Sequence, residues 1–448
     1  MANLSAQEQL MLELTNRARM DPVGEARRMG LSNLNEGVAA ADRISSAPKQ
    51  VLAGNDDLAQ AAARHSSWML AHDIFDHSET SGTSGFTGKN PSDRMTNAGY
   101  TFSGSFTAGE NIAVRGTTTQ INAKDLTQMI IAQHKDLFVD ENIDGRGHRL
   151  NILEDAYREI GIGQESGKFA FESGGTQFNS SMVTQDFARS GTSLFVTGVV
   201  YKDNVINNDF FSVGEQIAGR KVSGGGLSDT TGSGGGYELA MANGNARSIL
   251  FDLANGDVTV GLQTFVTNIK VDVVNGNEVW TNGELAFVSG NVRQVHALGI
   301  AAIDLAGGTN GQTLTGNDAA NRIDGKAGND VLIGGLSVDV LVGGSGADQF
   351  RFDDRHSGKT NSTADRITDF TGADTINMEL VDANSKKAGD QDFSFIGGEA
   401  FHHKAGELRA FSSGGDTFIQ GDTNGDGSVD FLLRLDGRHA MTAGDFDL

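Results

Sequence analysis

From Gly316 the chain runs as four blocks of nine with no insertion: GNDAANRID (316–324), GKAGNDVLI (325–333), GGLSVDVLV (334–342) and GGSGADQFR (343–351). The sixth place holds Asn321, Asp330, Asp339 and Asp348; the eighth holds Ile323, Leu332, Leu341 and Phe350. A fainter copy, GGTNGQTLT (307–315), puts Leu314 in the same place. Glycine lets a backbone turn its carbonyls toward a common point. Carbonyl oxygens plus one carboxylate per turn suit a hard cation such as Ca²⁺, which takes about six to eight oxygen ligands. A flexible Gly/Asp linker would not keep an apolar residue at one fixed place in every block, whereas a short strand stacked on its own copies would.

These blocks resemble the RTX nonapeptide, a parallel β-roll that binds Ca²⁺ between successive turns. The resemblance implies Asn321, Asp330, Asp339 and Asp348 as side-chain ligands, with Gly325, Gly328, Gly334, Gly343 and Gly346 supplying backbone oxygens. Ser337 and Val338 interrupt the third block and Asn321 replaces Asp in the first, so weaker binding is expected at those turns. Downstream, DRITDFTGADTINM (365–378), FHHKAGELRAF (401–411), GDTFIQGDTNGDGSVDFLLRL (415–435) and MTAGDFDL resemble the C-terminal region of serralysin-type proteases. That likeness implies a β cap on the roll, a signal for type I secretion machinery, and Asp365 and Asp374 closing the last calcium turns. The chain has no HExxH helix, so the likeness extends to secretion and not to proteolysis. DTNGDGSVDFLL (422–433) starts like an EF-hand loop but ends in Leu433 rather than Glu, which reads better as a β-turn.

The repeat needs a scaffold, and 448 residues suffice for about three or four domains. The formal charge of −23, from 58 acidic against 35 basic residues, repels nucleic acid and anionic lipid and attracts cations. With no cysteine, neither disulfides nor thiolate chemistry is available. No run of about eighteen apolar residues occurs, so no membrane span is expected. The opening MANLSAQEQLMLELTNRARMDP lacks the basic head and apolar core of an export signal, and no Sec-type route is expected from it.

Residues 1–190 read as a mixed α/β domain. Ser5 and Glu8 form a capping box ahead of Leu10, Met11, Leu14 and Ala18; a second helix begins at Asn55, and a third runs from about Ala123 to Phe138. REIGIG (158–163), FAFES (169–173) and SMVTQDFAR (181–189) read as strands. LTNRARMDP (14–22), LAQAAARHSSWMLAHDIFDHS (58–78), DRMTNAGYTF (93–102), GENIAV (109–114) and GHRLNILEDAYREIGIG (147–163) follow in an order that resembles the CAP superfamily of cysteine-rich secretory, antigen 5 and pathogenesis-related proteins. The resemblance implies an α-β-α sandwich whose cleft is lined by two histidines, here His77 and His148, and two acidic residues, the first Glu110. At the second acidic place, on the third helix, the sequence offers Gln133 and His134. Two neutral imidazoles could hold Zn²⁺ or another divalent ion, and a metal-bound water near Glu110 would be a hydrolytic nucleophile. Equally, Glu110 could cap a turn while the histidines fix loops. His65 reads as a core residue, and His134 and Asp136 as surface structure beside LFVDENIDGRG (137–147).

Between 191 and 290, strand-like stretches separated by turns every eight to twelve residues suggest an all-β sandwich spacer. Its opening, 201–222, resembles carboxypeptidase-regulatory-like modules: Asn204, Asn208, Ser212 and Glu215 fit an EF-hand-like spacing, but Ile206 occupies a ligand place. SGGGLSDTTGSGGG (223–236) reads as a flexible loop. The expectation is thus a multidomain α+β chain: CAP-like domain 1–190, β-sandwich 191–290, RTX β-roll 291–352 and serralysin-like C-terminal region 353–448. It would be a secreted, extracellular calcium-binding protein, with retention at the cell surface left open. Its CAP domain would bind a lipid, glycan or protein ligand, or alternatively act as a metal-dependent hydrolase through His77, Glu110 and His148.

Overall fold

The computed structural model describes residues 3–354 and 356–448, which form two compact units. One runs to Asn245 and adds Ile249–Asn255 and Thr264–Gly276; the other takes Ala246–Ser248, Gly256–Gln263 and Asn277–Leu448. The stretch 191–290 is therefore shared between them. Among the described residues no helix is long and apolar enough to cross a membrane.

The first unit opens with helices α1 (Ala6–Met20) and α2 (Pro22–Met29), then a short strand β1 (Ala53–Gly54) and helices α3 (Asp56–His72) and α4 (Pro91–Ala98). Strand β2 (Thr107–Thr117), helices α5 (Ala123–Val139) and α6 (Gly147–Ile152), and strands β3 (Glu159–Ala170) and β4 (Gln177–Arg189) follow. Ser5 caps α1 through Glu8, as its spacing predicts, and Asn55 caps α3. The sheet order is β1-β3-β4-β2, with β4 antiparallel to both long neighbours. REIGIG and the start of FAFES lie in one strand, not two, because β3 pairs with β4 without a break from Glu159↔Ala188 to Ala170↔Gln177.

Alternation along β4 places helices on both faces. Thr184 meets Ser66 of α3, whereas Ser181 and Gln185, of opposite parity, meet Gln133 of α5 and Thr15 of α1. Helix α3 rides directly on the backbone of β3. A Cβ at Gly161 would lie 2.0 Å from the Leu58 carbonyl carbon, and one at Gly163 2.0 Å from the Ala63 nitrogen. Only glycine permits that approach.

Further along, Leu194–Tyr201 pairs with Gly236–Met241 and Ile269–Val274. The segment expected to be a flexible loop is instead a hairpin, Lys221–Gly224 against Leu227–Thr230. Gly225 and Gly226 take φ of 61° and 83°, the two left-handed positions of a tight hairpin turn. Glu215 is buried and accepts from the backbone N–H groups of Val205, Ile206 and Ser212, so this carboxylate fastens its own loop. Buried Lys270 lies between Glu13, at 2.8 Å, and Asp272.

The second unit is a parallel coil. Thr313–Thr315, Val331–Ile333, Gln349–Asp353 and Thr375–Leu380 stack in one sheet, and Asp304–Ala306, Arg322–Asp324, Val340–Val342 and Asp365–Ile367 in the other. Each strand pairs with the one two blocks ahead, as in Leu314↔Leu332↔Phe350, so two nonapeptides complete one turn. Leu314, Ile323, Leu332, Leu341 and Phe350 have no exposed surface, which explains the fixed apolar place in each block. The coil begins earlier than the repeat: Glu278–Thr281 already pairs in parallel with Gln294–Ala297. It ends on an antiparallel meander, Glu407–Ser413, Asp416–Asp422 and Phe431–Leu435, whose last strand continues the second sheet.

Candidate functional site

In the coil, the sixth-place carboxylates form two ladders. Oδ1 of Asp330 accepts from the Gln312 N–H, Asp348 from Asp330, Asp339 from Asn321 and Asp365 from Asp339. These bonds, between 2.7 and 2.9 Å, fix one oxygen of each group. The other oxygen, Oδ2 of Asp330, Asp339, Asp348 and Asp365, is buried with no hydrogen-bond partner. Burial pushes Asp330 up to about 7, Asp339 to about 6 and Asp365 to about 8, and raises Asp348 as well. Such oxygens are costly to ionise until a cation meets them.

The surrounding backbone fits a cation. A Cβ at Gly325 would come 2.7 Å from Asp330 Oδ2, at Gly334 2.3 Å from Asp339 Oδ2, and at Gly343 2.6 Å from Asp348 Oδ2. The same Cβ at Gly325 would meet the Gly343 carbonyl oxygen at 2.6 Å. The first-place glycines thus leave room beside the free carboxylate oxygens, where carbonyl and carboxylate donors of the type Ca²⁺ prefers come together. Gly328 and Gly346 hold φ of 127° and 147° in the same turns. Two of the expected ligands differ. Asn321 Oδ1 accepts from Asn317 and its Nδ2 donates to Ile303 O; Asp374 accepts from Asp348 on Oδ1 and from Thr371 on Oδ2. Their oxygens are engaged within the protein. In the 422–433 turn, Asp422 likewise accepts from Asn424, Gly425 and Gly427 N–H groups.

The second cluster lies in the first unit. Strand β2 brings Glu110 to His77, with Nδ1 to Oε1 at 2.7 Å, while Glu110 Oε2 accepts from Arg94 of α4. His148, at the start of α6, donates from Nδ1 to Asp140 Oδ1 at 2.7 Å, and its backbone N–H meets Oδ2. The two rings are 6.5 Å apart between centroids. Donation from Nδ1 to a carboxylate orients each ring and leaves its Nε2 clear of that carboxylate. Burial acts to raise Glu110, but the His77 hydrogen bond and the charges of Arg94 and His65 outweigh it and hold the carboxyl below its ordinary value.

The second acid of this cleft is Asp140, the left-handed residue that ends α5. Gln133 and His134 do not line it. Gln133 is buried and donates to Ala113 O and Ser181 O, and His134 is buried against Glu25 at 3.0 Å rather than on the surface. Asp136 does lie at the surface, paired with Arg115. Arg94, Glu79 and His65 complete the polar layer beneath the cleft; His65 is buried, as its place on the apolar helix face predicts. Sequence reading missed Arg94 and Asp140, although a charged residue after the capping box of α4 and an Asp at a helix end were the available signals. Both carboxylates are spent on protein donors, leaving two ring nitrogens as ligands. Among the described residues no three His, Cys, Asp or Glu side chains converge as a metal cluster. The cleft therefore does not fit a zinc centre with three protein ligands.

Residues 12–171 match the family model for the cysteine-rich secretory protein family (CAP), and residues 315–350 match four copies of the RTX calcium-binding nonapeptide repeat. Among solved structures, the chain is similar to the AlgE6R3 subunit of the Azotobacter vinelandii mannuronan C5-epimerase, at 24% identity over 33% of this chain and 77% of that one, with a TM-score of 0.25. The AlgE6R2 subunit of the same enzyme matches at 23% identity over 33% of this chain and 91% of that one, with a TM-score of 0.24. An extracellular SCP-domain protein from Bacillus anthracis str. Ames matches at 18% identity over 41% of this chain and 40% of that one, with a TM-score of 0.23. No curated protein matches.

Proposed function

We infer, for a chain that carries a CAP domain at 12–171 and RTX calcium-binding repeats at 315–350, a secreted calcium-binding protein that presents the CAP domain as an extracellular binding or effector module. The observation that carries this reading is the set of four buried carboxylate oxygens, on Asp330, Asp339, Asp348 and Asp365, that lack any protein donor. In low calcium these charges, within a chain of net charge −23, oppose coiling; in the calcium of an extracellular medium, cations between the turns stabilise it by RT ln(1 + [Ca]/Kd) per site. Calcium would be held by those four aspartates with carbonyls of the neighbouring glycines, and it supplies the positive charge that the turns need.

A roll that gains much of its stability from calcium suits export before it has coiled, and the serralysin-like region 353–448 would address it to type I secretion machinery. For the CAP cleft, binding is favoured over hydrolysis because Glu110 already accepts from His77 and Arg94, which leaves it poorly placed as a general base. The ligand classes that remain are lipid, glycan and protein. The export reading is tested by expressing the full chain and a chain ending at residue 352 beside a type I exporter. Loss of the truncated chain from the medium is expected; equal export of both overturns the assignment of the C-terminal region.

A further inference from the structure

Beneath the cleft lies a carboxyl group that neither the calcium reading nor the His77 and His148 pairs use. Asp186 sits on β4 directly across from Glu110 of β2, on the same face of the sheet. It has no exposed surface, and neither Oδ1 nor Oδ2 receives a hydrogen bond. An ionised carboxylate in that position would carry a full charge with no donor, which folded proteins avoid.

The layer around it already holds two carboxylates beside one guanidinium. Arg94 of α4 is a cation. His65 of α3 has an acceptor at each ring nitrogen: the Glu79 carboxylate faces Nδ1 at 3.1 Å and the Asp76 carbonyl oxygen faces Nε2 at 3.1 Å. Beside these stand two anions, Glu79 and Glu110, both held below the ordinary carboxyl value despite burial. Asp186 as a third buried anion would add negative charge to a layer whose carboxylates already share Arg94.

We propose that Asp186 is a neutral carboxylic acid that donates its O–H to the Glu110 carboxylate and so positions Glu110 against His77. Glu110 then has three converging donors, from Asp186, Arg94 and His77. This fixes its rotamer and thereby the His77 tautomer that exposes Nε2 to the cleft. Burial first, and then the charge of Glu110, push the Asp186 carboxyl well above the usual range, in keeping with this assignment. Asp186 is a positioning residue: it acts on the cleft only through Glu110.

The test uses the full chain with its calcium. Infrared difference spectra between wild type and Asp186→Asn at pH 7 should show the carbonyl stretch of one protonated carboxyl, absent from the variant. Because an amide also donates, Asp186→Asn should keep its thermal midpoint within about 3 °C of wild type. It should also keep the Nδ1–H signal of His77 in ¹⁵N-histidine NMR. Asp186→Leu, which cannot donate, should lose that single-tautomer signal. No protonated-carboxyl band in the wild type overturns the proposal, as does an unchanged His77 signal in Asp186→Leu. If Asp186→Leu does not fold, the infrared comparison decides alone.

Discussion

Replacing Asp330 by Asn isolates the cation-seeking oxygen of the roll, because the amide keeps the Oδ1 that accepts from Gln312 while removing the charge on Oδ2. The chain contains its own precedent in Asn321, whose amide at the equivalent place donates to Ile303 O. Burial pushes the Asp330 carboxyl from 3.8 up to about 7. A carboxyl raised in the folded state holds its proton longer there than in the unfolded chain. Without calcium, its contribution is therefore intact below about pH 4 and is lost as pH climbs toward 7. At about 1.4 kcal/mol per pKa unit the loss is about 4.5 kcal/mol, and screening by solvent near the turn reduces it to roughly 2. In chelator at pH 8, Asp330→Asn should therefore slow hydrogen exchange of peptides within 316–351 by about 30-fold, since roughly 2 kcal/mol is that factor. At pH 4 the two proteins should match, and in saturating calcium the order should reverse. Faster exchange in the variant at pH 8 without calcium would refute the reasoning, since it would mean that the carboxylate is already satisfied by the protein.

Two further outcomes follow from packing in the first unit. Lys270→Met leaves the Glu13 and Asp272 carboxylates buried without their cation and should cost about 3–5 kcal/mol in chemical denaturation; an unchanged midpoint would mean that the pair relaxes to solvent. Gly163→Ala puts a Cβ 2.0 Å from the Ala63 nitrogen and should lower stability by about 1–3 kcal/mol, with α3 displaced from β3; a neutral result would show that the helix has room to lift.

Repetition made the roll legible. Four copies of one pattern fixed the strand, its buried residue and the carboxylate, and the structure keeps the first two roles in each block and the carboxylate in the last three. The earlier turn from Glu278 was hidden because it coils on Val279 and Val295, both fully buried, without the Gly/Asp period. The pairing of alternate blocks was also hidden, since a nine-residue period is equally compatible with stacking each block on the next. In the cleft, His77, Glu110 and His148 were legible from short motifs. Asp140 was not, because its contact with His148 depends on where α5 ends and its chain turns left-handed. Glycine content alone misled at 223–236: composition suggested mobility, but two adjacent glycines with positive φ are also what a tight hairpin requires.

The central claim is that the roll is completed by calcium. The most direct measurement is a calcium titration of the purified full chain, followed by circular dichroism and by equilibrium dialysis for bound ion. The account predicts a cooperative gain of β-signal with several ions bound per chain, the gain growing from pH 5 to pH 8 as Asp330, Asp339 and Asp365 ionise. A β-signal and thermal midpoint that are the same in calcium and in chelator at pH 8 would contradict it.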